Sequence, residues 1–217
     1  MSAEPQNDFS KNIMGIVSSL SFYSPLILCV SILLFAMFTG TMGKAFVFGL
    51  WVFVITFIRI LALQAFKTQP NPNIPAICNT GLTQMFVKQD VTYSTYILTF
   101  AMTYFIFPLM LVSKQNDVNA MNYGILAFFI GYIGLDLFIK SSLMCIPSLL
   151  STLVLGNVLS GIFLGGVVGI LMYGTKLKSY LYINDINSNS EVCSMPSKQQ
   201  FRCSVFKNGQ LVGSSTN

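Results

Sequence analysis

The sequence contains no histidine, and only 9% of its 217 residues are charged. Without histidine, the chain has neither imidazole metal ligands nor an imidazole general base, the usual proton carrier near neutral pH. Soluble domains carry about 25% charged residues. So few charges, together with a hydrophobic fraction of 53%, predict an integral membrane protein in contact with the lipid bilayer.

Dense basic runs and metal-binding cysteine patterns are also missing. The net charge of +5 is spread along the chain, which excludes a typical nucleic-acid interface. The five cysteines show none of the spacings of a metal site. Cys193 and Cys203 could form a disulfide across the C-terminal tail, or remain two free thiols. We therefore predict no metal ion and no cofactor.

Long apolar stretches dominate the rest of the chain. A helix needs roughly 20 apolar residues to cross about 30 Å of hydrocarbon. Five stretches meet this requirement: residues 18–40, 45–66, 91–112, 121–139 and 147–174. The fold class predicted is an all-α polytopic membrane protein, a bundle of five transmembrane helices. A short amphipathic helix at residues 10–19 would be a sixth element, and residues 141–150 could form a separate interfacial or re-entrant piece.

The chain accordingly divides into a polar N-terminal segment (1–17), a transmembrane domain (18–174) and a polar tail (175–217). The tail is rich in Ser, Asn and Gln. Asn208-Gly209 stands between two short apolar runs and is a strong hairpin signal, because both residues accept positive φ. The tail is interpreted as a small β-hairpin outside the membrane, or as a chain without regular structure.

The basic residues between the spans bear on orientation. The face that carries the N-terminus has three lysines, and the opposite face has four together with those of the tail: Lys67, Lys88 and Lys140 against Lys44, Lys114, Lys176 and Lys178. Cytosolic loops carry the excess of Lys and Arg in membrane proteins. The rule slightly favours a cytosolic C-terminus.

Two charged residues fall inside predicted spans. Arg59 lies about 10 Å inside its span and Asp136 about 6 Å inside its own, at 1.5 Å per residue. In a five-span topology both lie near the same face, so we expect either an ion pair that fixes helix register or a polar cavity. Asn157, in the last span, could join them. A channel or transporter that uses these three residues is one candidate function.

The last span carries glycines one helical turn apart, at Gly161, Gly165 and Gly169. Small residues on one helix face let another backbone approach closely in lipid, where van der Waals contact drives association. This glycine zipper predicts a close helix contact, within the chain, with a second copy of it in a homo-oligomer, or with another protein.

Three segments resemble the type-2 phosphatidic acid phosphatase superfamily. Lys67-Thr-Gln-Pro-Asn-Pro-Asn-Ile74-Pro75 is similar to its first motif, Lys-x6-Arg-Pro, with Ile74 in place of arginine. The run Tyr93-Ser94-Thr95-Tyr96 stands where Pro-Ser-Gly-His would open a span. Asn157, followed by the glycines, resembles the helix after the family's final aspartate, and Leu153 and Pro147 take the positions of its histidine and arginine.

The resemblance implies a family scaffold that has lost its reaction. The family uses one histidine as nucleophile and another as general acid, and this chain has none. Of the family's cationic phosphate clamp only Lys67 remains, which suggests a pseudo-phosphatase that binds an anionic lipid headgroup at Lys67.

The sequence as a whole favours a non-catalytic structural membrane protein. The spans embed it, the glycine face packs it, and the tail docks other membrane or coat proteins. Such a protein suits the internal membrane of a virion of a large DNA virus, an interpretation that rests on no motif. A serine or cysteine enzyme is the least favoured class, because Ser94 and Cys78 lack a histidine base and only Asp90 lies nearby in sequence.

Overall fold

The computed structural model describes residues 15–65, 75, 78, 90–116 and 121–183, together with the backbone of two strands near the C-terminus. Lys67, Lys88, Cys193 and most of the segment 1–17 lie outside the described residues, and so do the predictions that rest on them.

Six α-helices and one short 3-10 helix make up the helical part of the described chain. Their bounds are α1 Gly15–Phe22, α2 Ser24–Thr39, α3 Met42–Ala65, α4 Tyr93–Asn116, α5 Tyr123–Ser142, α6 Thr152–Tyr173 and the 3-10 helix Lys176–Tyr180. Within the described residues, the four helices from α3 to α6 are long and apolar enough to cross a membrane, and α1 with α2 would make a fifth span. The chain is a multi-pass helical membrane protein.

The first predicted span is not one straight helix. α1 and α2 meet at Tyr23 with a bend of 71°. Pro25 occupies the first turn of α2, where its fixed φ and missing N–H are tolerated, but a helix continuing through from α1 would lack that hydrogen bond. The stretch predicted as one span at residues 18–40 therefore consists of two helices, because proline starts a new helix, and the two together would make one broken span.

The other predicted spans match α3 to α6 closely, and the ends of these helices have local causes. Gly40 ends α2 with a φ of +70°. The side chains of Asn122 and Ser151 accept hydrogen bonds from backbone amides in the first turns of α5 and α6, respectively. Because α6 begins only at Thr152, the predicted last span (147–174) starts too early, and residues 143–151 form an irregular connection.

α4 is the central helix of the bundle. It packs against α2, α5 and α6, and most of its side chains are buried, including Ile97, Phe100 and Ala101. The lipid-facing surface of the outer helices instead carries large exposed apolar side chains, such as Phe38 at 89% and Phe46 at 74% exposure. In water such exposure would be costly, whereas in lipid it is the expected outer surface.

α6 lies against α4 almost backbone to backbone. A Cβ placed on Gly161 would lie 2.7 Å from the carbonyl oxygen of Tyr96, and one on Gly165 would lie 2.7 Å from that of Phe100. At Gly169 the nearest α4 atoms, including those of Pro108, are 3.6 Å away. The glycine face is thus covered by α4 of the same chain, and its two tight positions are Gly161 and Gly165.

Successive helices run in alternating directions, so their ends collect at two faces. We call one of them the disulfide face, because the Cys78–Cys145 disulfide lies there. It holds α1, the residues before α4 and the 143–151 connection. The other is the tail face, from which the C-terminal tail continues, and it holds the turn at Gly40, the start of α5 and the 3-10 helix.

After the 3-10 helix, β1 (Arg202–Lys207) pairs antiparallel with β2 (Gln210–Thr216), with Lys207 opposite Gln210. The predicted Asn208-Gly209 turn lies outside the described residues.

Candidate functional site

Polar side chains gather around the first turn of α4, near the disulfide face. Thr92, Ser94 and Thr95 lie within four residues of one another at the start of this helix, so their side chains point in different directions. They thereby contribute to two separate groups of side chains. We call these the Asp136 cluster (Ser21, Ser94, Thr95, Asp136, Lys140) and the Arg59 cluster (Arg59, Asp90, Thr92, Tyr96, Asn157).

The Asp136 carboxylate is the centre of the first cluster and has no exposed surface. Oδ1 accepts hydrogen bonds from the hydroxyls of Ser21 at 2.5 Å and Ser94 at 3.0 Å. Oδ2 accepts from Thr95 Oγ1 at 2.7 Å and from Lys140 Nζ at 2.8 Å. A carboxylate offers about four lone-pair sites, and four donors occupy them here.

The Lys140 ammonium is equally well satisfied and equally buried. It lies one turn from Asp136 on α5, and its three protons have three acceptors: Asp136 Oδ2, Ser94 Oγ and Thr95 Oγ1, the last at 3.2 Å. An ammonium has three donors and no acceptor. The pair is therefore neutral overall and hydrogen-bonded at every position.

The Arg59 cluster joins α3 to α4 and α6. Arg59 Nε donates to Asp90 Oδ2 at 2.5 Å, and Nη1 donates to Asn157 Oδ1 at 2.5 Å. The guanidinium also lies over the ring of Tyr96, 4.7 Å from the ring centroid, which is cation–π distance. Arg59 thus has a carboxylate, an amide and an aromatic face as partners, and only 10% of its side chain is exposed.

Asn157 and Asp90 complete this second cluster. The Asn157 amide donates to Thr92 Oγ1 and to the carbonyl of Leu153, the latter at 2.8 Å. Asp90 Oδ1 accepts the backbone amide of Thr92 at 3.1 Å, next to the start of α4. Through its other oxygen, the same carboxylate also holds Arg59.

The predicted ion pair between Arg59 and Asp136 is wrong. Arg59 pairs with Asp90, and Asp136 pairs with Lys140 on its own helix. All these residues do lie near the same end of the bundle, around the start of α4. Distance along the helix axis cannot tell which way a side chain points around it, and that direction decides the partner.

The Ser94 hydroxyl lies next to the Lys140 amine, a contact that was not predicted from the sequence. A serine hydroxyl beside a lysine amine is an arrangement in which lysine can act as a base. Here, however, Lys140 is paired with Asp136 and acts as a hydrogen-bond donor to Asp136, Ser94 and Thr95. Ser94 itself is only 3% exposed. These contacts tie Ser94 and Lys140 into one buried network of hydrogen bonds with Asp136 and Thr95.

A disulfide between Cys78 and Cys145 lies at the disulfide face and gives that face its name. It ties residue 78, in the long connection before α4, to the segment that follows α5. The only disulfide that the sequence suggests is one between Cys193 and Cys203, and the Cys78–Cys145 bond is not predicted. Two cysteines separated by 67 residues carry no spacing signal, and only a topology that brings both to one face would suggest the pair.

No protein family, curated protein or solved structure matches this chain.

Proposed function

We propose that this chain is a non-catalytic scaffold of a membrane, with a rigid helical body and a polar tail that docks other proteins. The observation that carries the proposal is the completeness of the Asp136 cluster. Every hydrogen-bonding position of the Asp136 carboxylate and the Lys140 ammonium is filled from within the chain. Charges arranged in this way hold helices together and leave no position for a ligand.

The two clusters connect most of the bundle. The Asp136 cluster links α1, α4 and α5, and the Arg59 cluster links α3, α4 and α6. Hydrogen bonds between helices contribute modestly in membranes, on the order of 1 kcal/mol each. Several of them around one helix, together with the disulfide and the tight α4–α6 contact, support a body built for rigidity.

Transport is the alternative function, and burial counts against it. Charged residues that serve ion pathways face water-filled cavities. Asp136 and Lys140 have no exposed surface, and Arg59 and Asp90 are at most one-tenth exposed. A permeating ion would have to displace an ammonium or a guanidinium from its partners. The geometry therefore supports the scaffold over the channel.

The tail is the proposed docking element, because it is polar and leaves the membrane at the tail face. In the virion interpretation its partner is a coat or core protein next to an internal membrane. The pairing of β1 with β2 offers a folded recognition unit for such a partner. This part of the proposal rests on the sequence of the tail and on its strand pairing.

Reconstitution tests the proposal against transport. Proteoliposomes containing the full chain should show no more K⁺, Na⁺ or H⁺ flux than protein-free liposomes. Asp136→Asn should leave that background unchanged while lowering the resistance of the protein to unfolding. Flux above background that falls in Asp136→Asn would establish the transport alternative instead.

Crosslinking tests the docking role. A photoreactive group placed at Lys207 should capture a defined protein in the native membrane. The matched control is the same group at Leu150, which is 80% exposed at the opposite face. Capture of the same proteins from both positions, or of lipid alone from Lys207, would contradict tail-mediated docking.

A further inference from the structure

Two cavities lie side by side at the tail face. The first, about 270 Å³, is apolar and lies between α2, α4 and α5; its walls include Ile32, Phe35, Phe105, Ile125, Phe128 and Tyr182. The second, about 310 Å³, is lined by two lysines and a serine together with two apolar residues: Lys44, Lys178, Ser179, Leu181 and Ile183.

Tyr182 joins the two cavities. Its ring lines the apolar cavity and packs edge-on against Phe105, with 5.5 Å between the ring centroids. The Lys44 ammonium, which lines the basic cavity, lies 5.7 Å from the centroid of the same ring. One aromatic side chain therefore forms a wall of the apolar space and a support for the cation beside it.

The depths of the two cavities match the two parts of a lipid. α2 ends at Thr39, so Phe35 lies about 6 Å and Leu28 about 16 Å below the tail face, at 1.5 Å per residue. The apolar cavity therefore spans roughly one leaflet of a hydrocarbon core about 30 Å thick. Lys44 lies in the first turn of α3 and Lys178 in the 3-10 helix that follows α6, so both lie at the ends of spanning helices, where lipid headgroups would be.

We propose that these cavities together bind one anionic glycerophospholipid. Its phosphate contacts the ammonium groups of Lys44 and Lys178 and the Ser179 hydroxyl, and one acyl chain fills the apolar cavity. Basic pockets between transmembrane helices commonly bind anionic headgroups in this way. A partner helix could fill the apolar cavity, but it gives no reason for two lysines at the mouth.

Native mass spectrometry of the full chain in detergent tests the site. The probes are phosphatidylglycerol, phosphatidylcholine with the same acyl chains, and glycerol 3-phosphate. One phosphatidylglycerol should be retained about tenfold more strongly than phosphatidylcholine. Its headgroup carries a net negative charge opposite the two lysines, whereas that of phosphatidylcholine is neutral overall. Glycerol 3-phosphate should not compete; full competition would mean that the ligand is a free phosphate compound and not a lipid.

Charge variants test the headgroup contacts. Lys44→Gln/Lys178→Gln should lower retention of phosphatidylglycerol on the order of tenfold. Lys114→Gln removes an exposed lysine on the same face outside both cavities, and should change nothing. An equal loss in Lys114→Gln would show a general surface-charge effect and overturn the site. Unfolding midpoints equal to the wild type confirm that each variant is folded.

A cavity-filling variant tests the acyl-chain contact. Ile32→Trp should weaken both lipids, whereas Leu34→Trp, on the lipid-facing side of α2, should weaken neither. If Ile32→Trp does not fold, Ile125→Phe fills the same cavity from α5. Equal retention of the two lipids by the wild type, or a second copy of the chain bound in place of lipid, would overturn the proposal.

Discussion

The Asp136 carboxylate and the Lys140 ammonium lie 2.8 Å apart, one turn along α5, and neither has exposed surface. Removing one member of such a pair leaves the other charge buried without a counterion, which costs about 3–5 kcal/mol. Replacing both by apolar groups removes both desolvation penalties. Loss of one member of the pair should therefore cost more stability than replacement of both.

Asp136→Asn should destabilise the protein by about 3 kcal/mol, and Asp136→Leu/Lys140→Met should lose clearly less than the single variant. Unfolding in mixed detergent and SDS micelles measures both free energies. Ser142→Ala, an exposed hydroxyl on the same helix, is the control and should be near neutral. Equal losses in the single and double variants would contradict a role for charge pairing.

Gly165→Ala should push α6 away from α4. Its Cβ would lie 2.7 Å from the carbonyl oxygen of Phe100, a distance that real Cβ contacts do not reach, and overpacking costs about 1–3 kcal/mol. The neighbouring Gly166 is a matched control, since its Cβ would meet only Thr103 Cγ2, at 4.0 Å. The same unfolding measurement should find Gly166→Ala neutral or slightly stabilising, and Gly165→Leu worse than Gly165→Ala.

Cys78 and Cys145 should place the disulfide face outside the cytosol, because disulfides persist in oxidising compartments. Burial of Lys140 removes one lysine from that face, so the positive-inside rule agrees. In a Cys193→Ser/Cys203→Ser background expressed in the plasma membrane, an impermeant maleimide applied to intact cells should label Leu150→Cys. Lys176→Cys should react only after permeabilisation. The reverse pattern would invert the topology.

Loss of this disulfide should also lower stability. Cys78→Ala/Cys145→Ala should cost about 2 kcal/mol, at the low end for disulfides, since inserted helices already hold both ends near one face. Addition of a reductant should destabilise the wild type by a similar amount and leave the double variant unchanged. A double variant as stable as the untreated wild type would contradict this contribution of the bond.

Neither the wild type nor Asn157→Asp should hydrolyse phosphatidate or lipid pyrophosphates above a protein-free control. The substitution supplies the acid that the resembled phosphatase family has at this place, but no histidine is available as nucleophile. The second carboxylate would instead compete with Asp90 for Arg59. Phosphate release measured on detergent-solubilised lipid is the assay, and turnover by either protein would refute the pseudo-phosphatase interpretation.

Sequence reasoning located the helices well and their partners poorly. Length and hydropathy are enough to place α3 to α6, because a lipid-spanning helix must satisfy its backbone internally. The break at Tyr23 was missed although Pro25 signals it. Ser21 was not a candidate at all, since a serine near a span end is ordinary until its partner Asp136 is known.

The pairing inside the site could be anticipated only in part. Asp136 and Lys140 stand four residues apart, a spacing that favours an ion pair on one helix face, and this signal was available. The partnership of Arg59 with Asp90 and Asn157 was not, because it depends on how α3, α4 and α6 rotate against each other. Side-chain packing sets that rotation, and no local pattern encodes it.

The four-residue spacing of Asp136 and Lys140 has a consequence for biogenesis. Ser21, Ser94 and Thr95 belong to other helices and can reach Asp136 only after the bundle has assembled. Lys140 is on the same helix and travels with it. α5 can therefore partition from the translocon into lipid as an electrically neutral segment, before any neighbour is in place to receive it.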